Sequence, residues 1–221
     1  MGTLCVMKVA PLLSLMLATS AFAATPTTPV LGELSRCDRS FFEALKRLAP
    51  DLASHPHFAS GPTFAYFKVA DRSDPERSLQ RFKTPLKLGK IEVMGYFDEL
   101  MSLGDNNVFV AWGFLLRAPI KDVIPAVQAE VWDNSRLQAD GDVYIRMETW
   151  DPAHPDDGWQ KVATPVGMDA QADAIERELK IEPYERDPSL TRFGCSLQGA
   201  VSKAMLKEAR PDLGNKPSSA R

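Results

Sequence analysis

Histidine is the side chain most readily used for acid–base or metal chemistry, and this chain has three. Two of them, His55 and His57, stand two residues apart in Ser54-His55-Pro56-His57. On extended backbone, residues i and i+2 share a face, so both imidazoles could point at one metal ion. No Cys, Asp or Glu cluster accompanies them in sequence, and the flanking turn formers make a polar loop the expectation. The third, His154, lies in Asp151-Pro-Ala-His-Pro-Asp-Asp157. Asp151, Asp156 and Asp157 could together hold a divalent cation, but the stretch lacks the EF-hand spacing and reads as a solvated turn. No metal and no cofactor are expected.

Nucleophile motifs are missing. The chain has no Gly-x-Ser-x-Gly elbow, no Ser-x-x-Lys, no His-Glu-x-x-His and no phosphate-cradling glycine loop. Paired carboxylates could build a glycosidase-type site from any spacing that folds together. The candidates are Glu92, Asp98, Glu99, Glu130 and Glu148, which sequence alone does not rank. Catalysis therefore has no positive support, and the reading leans away from an enzyme.

Aromatic residues beside turns are the alternative. Trp150 and Trp159 flank the acidic loop, while Phe64, Phe67, Phe109, Trp112 and Phe114 read as core. Tryptophan offers large contact area at low entropic cost, which suits interfaces. The candidate binding residues are thus Trp150, Asp151, His154, Asp156, Asp157 and Trp159. No catalytic residue is assigned.

The elements that must position these groups begin after an export signal. Lys8, the apolar run Val9–Leu17 and Ala21-Phe22-Ala23 match a secretory signal peptide over residues 1–23. The run is too short to span a bilayer, so no stable membrane insertion is expected after cleavage. The net charge of −3 becomes −4 when Lys8 leaves. An acidic chain has no general pull towards nucleic acid, and the basic residues of 72–90 are too scattered to supply one. With 44% hydrophobic and 25% charged residues the composition is that of a folded soluble domain. Cys5 leaves with the signal, and Cys37 and Cys195 are expected to pair in a periplasmic or secreted setting.

Read against itself at a spacing of 80, the chain repeats Pro75-Glu-Arg-Ser-Leu-Gln-Arg-Phe-Lys-Thr-Pro-Leu86 as Pro155-Asp-Asp-Gly-Trp-Gln-Lys-Val-Ala-Thr-Pro-Val166. Twice that spacing echoes Leu45-Lys46 and Pro50-Asp51-Leu52 as Leu206-Lys207 and Pro211-Asp212-Leu213, within two residues. The expected organisation is a linker at 24–34, repeat units at 35–115 and 116–195, and a C-terminal helix and tail at 196–221. Each unit is expected to supply a helix and an antiparallel hairpin. Ser40 is expected to cap a helix bearing Phe41, Phe42, Leu45 and Leu48, and Asn107–Arg117 to form a strand buried on both faces. Further strands are expected at Thr63–Ala70, Leu79–Lys83, Ile91–Leu100, Val143–Trp150 and Trp159–Ala163. Helices are expected near Ile120–Val127, with Pro125 as a kink or stop, at Asp169–Leu179 and from Ser196 to Ala209. The fold class is α+β: duplicated helix-plus-hairpin units around a mixed or antiparallel sheet, tied by one disulfide.

Three functions fit. The leading one is an exported, non-enzymatic protein-binding or inhibitor protein, such as an immunity protein that neutralises a toxin or hydrolase. The alternatives are a cell-envelope hydrolase using scattered carboxylates or the His pair, and a small-molecule or metal binder with its cleft between the repeats. The expected partner is a protein.

Overall fold

The computed structural model describes residues 1–2, 30–162 and 174–213. Apart from Met1 and Gly2, the expected signal peptide lies outside the described residues, as do 163–173 and the tail from 214. Two short helices open the fold, α1 (Val30–Leu34) and α2 (Ser40–Arg47), followed by a single turn, α3 (Ala49–Leu52). A small hairpin, β1 (Phe58–Ser60) and β2 (Ala65–Phe67), forms its own two-stranded sheet. Strands β3 (Leu79–Leu88), β4 (Ile91–Gly104) and β5 (Asn107–Arg117) make a meander, and helix α4 (Ile120–Val127) follows. Strands β6 (Gln138–Asp140), β7 (Val143–Trp150), β8 (Gln160–Lys161), β9 (Ile175–Tyr184) and β10 (Asp187–Gly199) complete the sheet before helix α5 (Lys203–Ala209).

The main sheet has eight strands in the order β3-β4-β5-β10-β9-β7-β6, with β8 on the same edge of β7 as β6. Every pairing is antiparallel. This is an α+β fold built on an antiparallel sheet. Two meanders meet edge to edge at β5 and β10, the strands richest in buried residues.

Side-chain alternation gives the sheet two distinct faces. Tyr96, Asp98, Val110, Trp112, Phe114, Phe193, Cys195, Leu197, Leu179 and Ile181 all point to the helical side. There they meet Leu34, Phe41, Phe42 and Leu45 of α1 and α2, all fully buried. Phe41 sits edge-on to Phe114 at 5.5 Å, and Phe67 of the small hairpin reaches Tyr96 at 5.7 Å. Helix α2 forms because its apolar residues fall on one stripe, and an Arg39–Glu43 pair four apart supports its first turn. Ser40 is its first residue rather than its cap; the carboxylate of Asp38 accepts from the Ser40 N–H at 2.8 Å.

Cys37 and Cys195 are bonded, with Cα atoms 5.3 Å apart. The bond joins the turn between α1 and α2 to the middle of β10, not to the start of the last helix as the sequence suggested. It pins the helical layer to the centre of the sheet.

Several expectations are corrected. Val30–Leu34, taken as linker, is a helix with four buried residues. Ile175–Leu179, expected as the end of a helix, is strand, because Ile175, Arg177, Leu179 and Ile181 alternate with Glu176, Glu178, Lys180 and Glu182 across the sheet; residues 169–173 lie outside the described set. The helix expected from Ser196 starts only at Lys203, capped by Ser202, whose Oγ accepts from the Met205 N–H; β10 continues through Gly199. The strand expected over 63–70 spans only Ala65–Phe67; of that expected over 159–163, Gln160–Lys161 is strand and Ala163 lies outside the described residues. Pro125 sits inside α4.

The arrangement does not show the duplication. Leu79–Leu88 is an edge strand on β4, whereas its echo, as far as it is described, contributes Gln160–Lys161 on the edge of β7. Ala65–Phe67 pairs in the small sheet, whereas the stretch matched to it, Val143–Trp150, is an inner strand of the main one.

Candidate functional site

The described helices pack their buried residues against the first face, and strand register lays the second face out in rows. Met101, Phe109, Gln198, Glu176 and Thr149 form one row across five strands. Glu99, Ala111, Ser196, Glu178 and Met147 form the next, and Phe97, Gly113, Gly194, Lys180 and Ile145 the third. At the centre Phe97 lies against the two glycines. A Cβ on Gly194 would fall within 2.4 Å of its ring, and one on Gly113 within 2.8 Å. Glycine there lets an aromatic side chain lie flat on the sheet. The Arg192 guanidinium covers the ring, 4.0 Å from its centroid.

From this platform a cleft of about 330 Å³ opens. Phe97, Leu79, Leu115 and Tyr184 give it an apolar floor, and Arg72, Glu99, Glu182, Arg186 and Arg192 a charged wall. The turn after β9 folds towards the loop before β3, where Arg186 and Glu76 join at 2.5 and 2.8 Å. Both side chains are largely exposed, so this pair adds little stability. Arg192 gives to Glu99 at 3.0 Å and lies 3.8 Å from Glu182.

At its other end the cleft runs into the β4–β5 hairpin. Met101 lines it, and Leu103 continues the same face of β4 out to the tip. Met101 and Leu103 are 41% and 56% exposed, the two large apolar side chains that stand in water among described residues 30–213. A type of turn with positive φ at Gly104, Asp105 and Asn106 closes the hairpin.

Behind the cleft wall lies a buried ion cluster. Asp98 and Arg210 have no exposed surface, and Asp212 is 5% exposed. Arg210 gives to both oxygens of Asp212 at 2.9 Å and to Asp98 at 2.8 Å. Arg72 closes the set, giving to Asp98 at 2.6 Å and to Asp212 at 3.1 Å. The Arg210 guanidinium also lies 5.0 Å from the Trp112 ring, so charge and aromatic core are packed together.

The five carboxylates marked in the sequence separate clearly. Asp98 is held between Arg72 and Arg210, and Glu148, nearly buried, between Arg136 and Arg177. Glu99 pairs with Arg192 and Glu92 with Arg117. Glu130 borders a second, more apolar cleft with Leu31, Leu52 and Leu88. The arginines that decide this were the signal sequence reading missed: buried carboxylates in a fold need a cation, and this chain supplies arginine.

His55 and His57 come within 6.2 Å, ring to ring, but His55 packs on Phe82 and Phe67 at 4.4 and 5.2 Å. Burial, with His57 adding to it, lowers the His55 pKa, which suits an aromatic neighbour. No cluster of three or more metal-ligating side chains occurs among the described residues.

Trp150 and Trp159 meet edge to face at 5.7 Å, and both pack partly against the core. Arg177 covers Trp159 at 4.3 Å while holding Glu148. Between them the loop is exposed: Asp151 accepts from the Ala153 N–H and meets His154 Nδ1 at 2.7 Å. That contact raises the His154 pKa. Asp156 and Asp157 lie in the following single turn, both exposed. The structure thus keeps the six predicted binding residues together, with the indoles turned towards the protein. Trp159→Ala is expected to lower folding stability by about 2–3 kcal/mol, below the full-burial range because Trp159 keeps some exposure. A urea midpoint unchanged by the substitution would show that the indole does not pack as described.

One open-face group titrates near neutrality. Glu178 lies between Ser196 and Met147, and burial pushes its carboxyl up to about 7, with Lys180 opposing and Glu176 and Glu182 adding. The raised pKa means that the folded state holds its proton longer than the unfolded one. Stability is therefore greatest below the ordinary value of 4.5 and falls as pH rises through about 7. Glu178→Gln should leave stability at pH 4 nearly unchanged and raise it at pH 8 by roughly 2–3 kcal/mol, as read from urea midpoints. An equal effect at both pH values would contradict the assignment.

No protein-family model, curated protein or solved structure matches this chain. Among the described residues no helix is long and apolar enough to cross a membrane, and the disulfide is compatible with export.

Proposed function

We propose that this is an exported, non-enzymatic binding protein that holds a protein partner, in the manner of an inhibitor or immunity protein. The observation that carries the reading is the pair Met101 and Leu103, standing exposed beside a cleft with an aromatic floor and an arginine–glutamate wall. Apolar anchors inside a charged rim are the usual anatomy of an interface.

Strand register supports a wider footprint. Met101 shares its row with Thr149, the neighbour of Trp150, so the hairpin tip and the Asp151–Asp157 loop stand at the same end of the sheet. Four strand spacings separate them, roughly 19 Å, within the reach of a standard interface. In this reading Trp150 and Trp159 brace the loop, and Asp151, His154, Asp156 and Asp157 form part of the polar rim. The paired state of Glu92, Asp98, Glu99 and Glu148 supports binding over hydrolysis, since each carboxylate already serves an arginine.

The test is a pair of substitutions, Met101→Asp and Leu103→Asp, in full-length mature protein. Both sites are exposed, so the melting temperature should hold while retention of the envelope partner falls at least tenfold, about the loss expected of an interface anchor. Unchanged retention by both variants, or turnover of peptidoglycan or a model ester by the purified chain, would overturn the proposal.

A further inference from the structure

Elsewhere in this fold a carboxylate withdrawn from water meets arginine: Asp98 and Asp212 hold Arg72 and Arg210, and Glu148 holds Arg136 and Arg177. Two carboxylates of the second face break that pattern. Glu176 is 7% exposed and Glu178 is half-buried, yet among the described residues neither has an ion-pair partner. Glu176 accepts from the Gln198 side-chain amide instead. Residues 163–173, outside the described set, contain no Lys or Arg. Glu176 and Glu178 alternate onto the same face of β9, roughly 7 Å apart along the strand. One ammonium or guanidinium can reach both, and partly desolvated carboxylates gain most from such a charge-assisted contact.

The surrounding charge has the same sign. The rows from Met101 to Thr149 and from Glu99 to Met147 hold Glu99, Glu176 and Glu178 and no cation. Arg192 reaches Glu99 from further along β10, and Lys180 pairs with Glu182 at 2.7 Å. Of the four carboxylates on this face, two are matched and two are left. Asp105 at the hairpin tip, and Asp156 and Asp157 in the loop after β7, are exposed and add to the negative charge of this end. Lys203 and Lys207 are exposed on α5, but that helix leads into Ala209 and Arg210, which pack against the first face. Met101 and Phe109 stand in the row of Glu176 and set apolar area beside the charge. Opposite sign on a partner steers its approach and selects it over acidic competitors.

We infer that the partner meets this face with a basic patch, a Lys or Arg side chain seated between Glu176 and Glu178 while apolar neighbours cover Met101 and Phe109. The inference rests on the reading that a protein docks here and adds the charge it must carry. A defined probe tests it in full-length mature protein: acetyl-Leu-Lys-Leu-Lys-Leu amide, with both Lys replaced by Gln or by Glu as controls. The methyl NMR signal of Met147, beside Glu178 in its row, is followed, with Met205 on α5 as reference. A saturable millimolar shift at Met147 is expected with the Lys peptide, about tenfold weaker with Gln and absent with Glu. Raising NaCl to about 0.5 M should weaken the Lys response several-fold. Glu176→Gln combined with Glu178→Gln should weaken it about tenfold, with Met147 still present to report. A seated cation needs the ionised carboxylate, which Glu178 reaches through about 7, so Lys-peptide affinity should rise several-fold from pH 6 to pH 8. Glu178→Gln alone should flatten that rise. The other charged groups of the face, Glu176, Lys180 and Glu182 on β9, Arg192 on β10 and Glu99 on β4, remain in that variant as its background. No shift with the Lys peptide, equal shifts with all three, an equal shift at Met205, a flat pH profile in the parent, or no loss in the double variant overturns the inference. The titration needs no partner, so it can fail while the Met101 and Leu103 result stands, and the reverse.

Discussion

Arg210→Met is expected to destabilise the protein by about 3–5 kcal/mol. The substitution keeps most of the side-chain volume but removes the group that gives to both oxygens of Asp212 and to Asp98. Two buried carboxylates would then share Arg72 alone, and an uncompensated buried charge is far costlier than a missing surface pair. The loss should show first at the C-terminal segment, because Arg210 ties the residues after α5 to Asp98 of β4. Urea unfolding should give a markedly lower midpoint, and limited proteolysis should cut near Pro211 before the sheet opens. Combining Arg210→Met with Asp98→Asn and Asp212→Asn should recover part of the loss, since fewer buried charges then lack a partner. A variant as stable as the parent would mean that the cluster is not buried as described.

Reducing the Cys37–Cys195 bond, or replacing both residues by alanine, should cost about 3–5 kcal/mol. The bond closes a sequence separation of 158 residues, so it removes much of the freedom of the unfolded chain. It also joins two buried points, the turn after α1 and the centre of β10. Folding without it must dock the helical layer by packing alone. The melting temperature under reducing conditions should therefore drop by many degrees, and mass measurement of oxidised protein should show two hydrogens fewer than the reduced chain. Equal melting points in both redox states would contradict this.

The sequence was informative where pattern and physics act locally. Asn107–Arg117 is strand because β-branched and aromatic residues run without a polar break, and the structure buries both its faces. Val143–Trp150 and the loop from Asp151 were legible from alternation followed by turn residues. The pairing of Cys37 with Cys195 followed from arithmetic once Cys5 was assigned to the signal. Ile175–Leu179 misled because charged residues at every second position resemble a polar helix face until the partner strand is known. Ser196–Gly199 misled because Leu197 and Val201 also fit helical spacing, whereas the strand is set by its ladder with β5 and β9.

The candidate site was less legible. Trp150 and Trp159 were found, but not that each other's ring and Arg177 would occupy their faces. The cleft draws Arg72, Phe97, Glu99, Tyr184 and Arg192 from positions up to 120 residues apart, a juxtaposition that only sheet order 4-5-10-9 creates. Nothing local marks Gly113 and Gly194 as the pair against which Phe97 lies; that depends on their standing opposite one another in register.

The central claim, that a protein partner docks on the hairpin end of the open sheet face, is tested most directly by site-specific crosslinking. A photoreactive residue at Leu103 should trap one discrete protein in the envelope of the producing cell, and Met101→Asp should abolish that adduct. The same residue at Lys121, exposed on α4, should trap nothing comparable. No adduct at Leu103, or the same set of adducts from Leu103 and Lys121, would contradict the account.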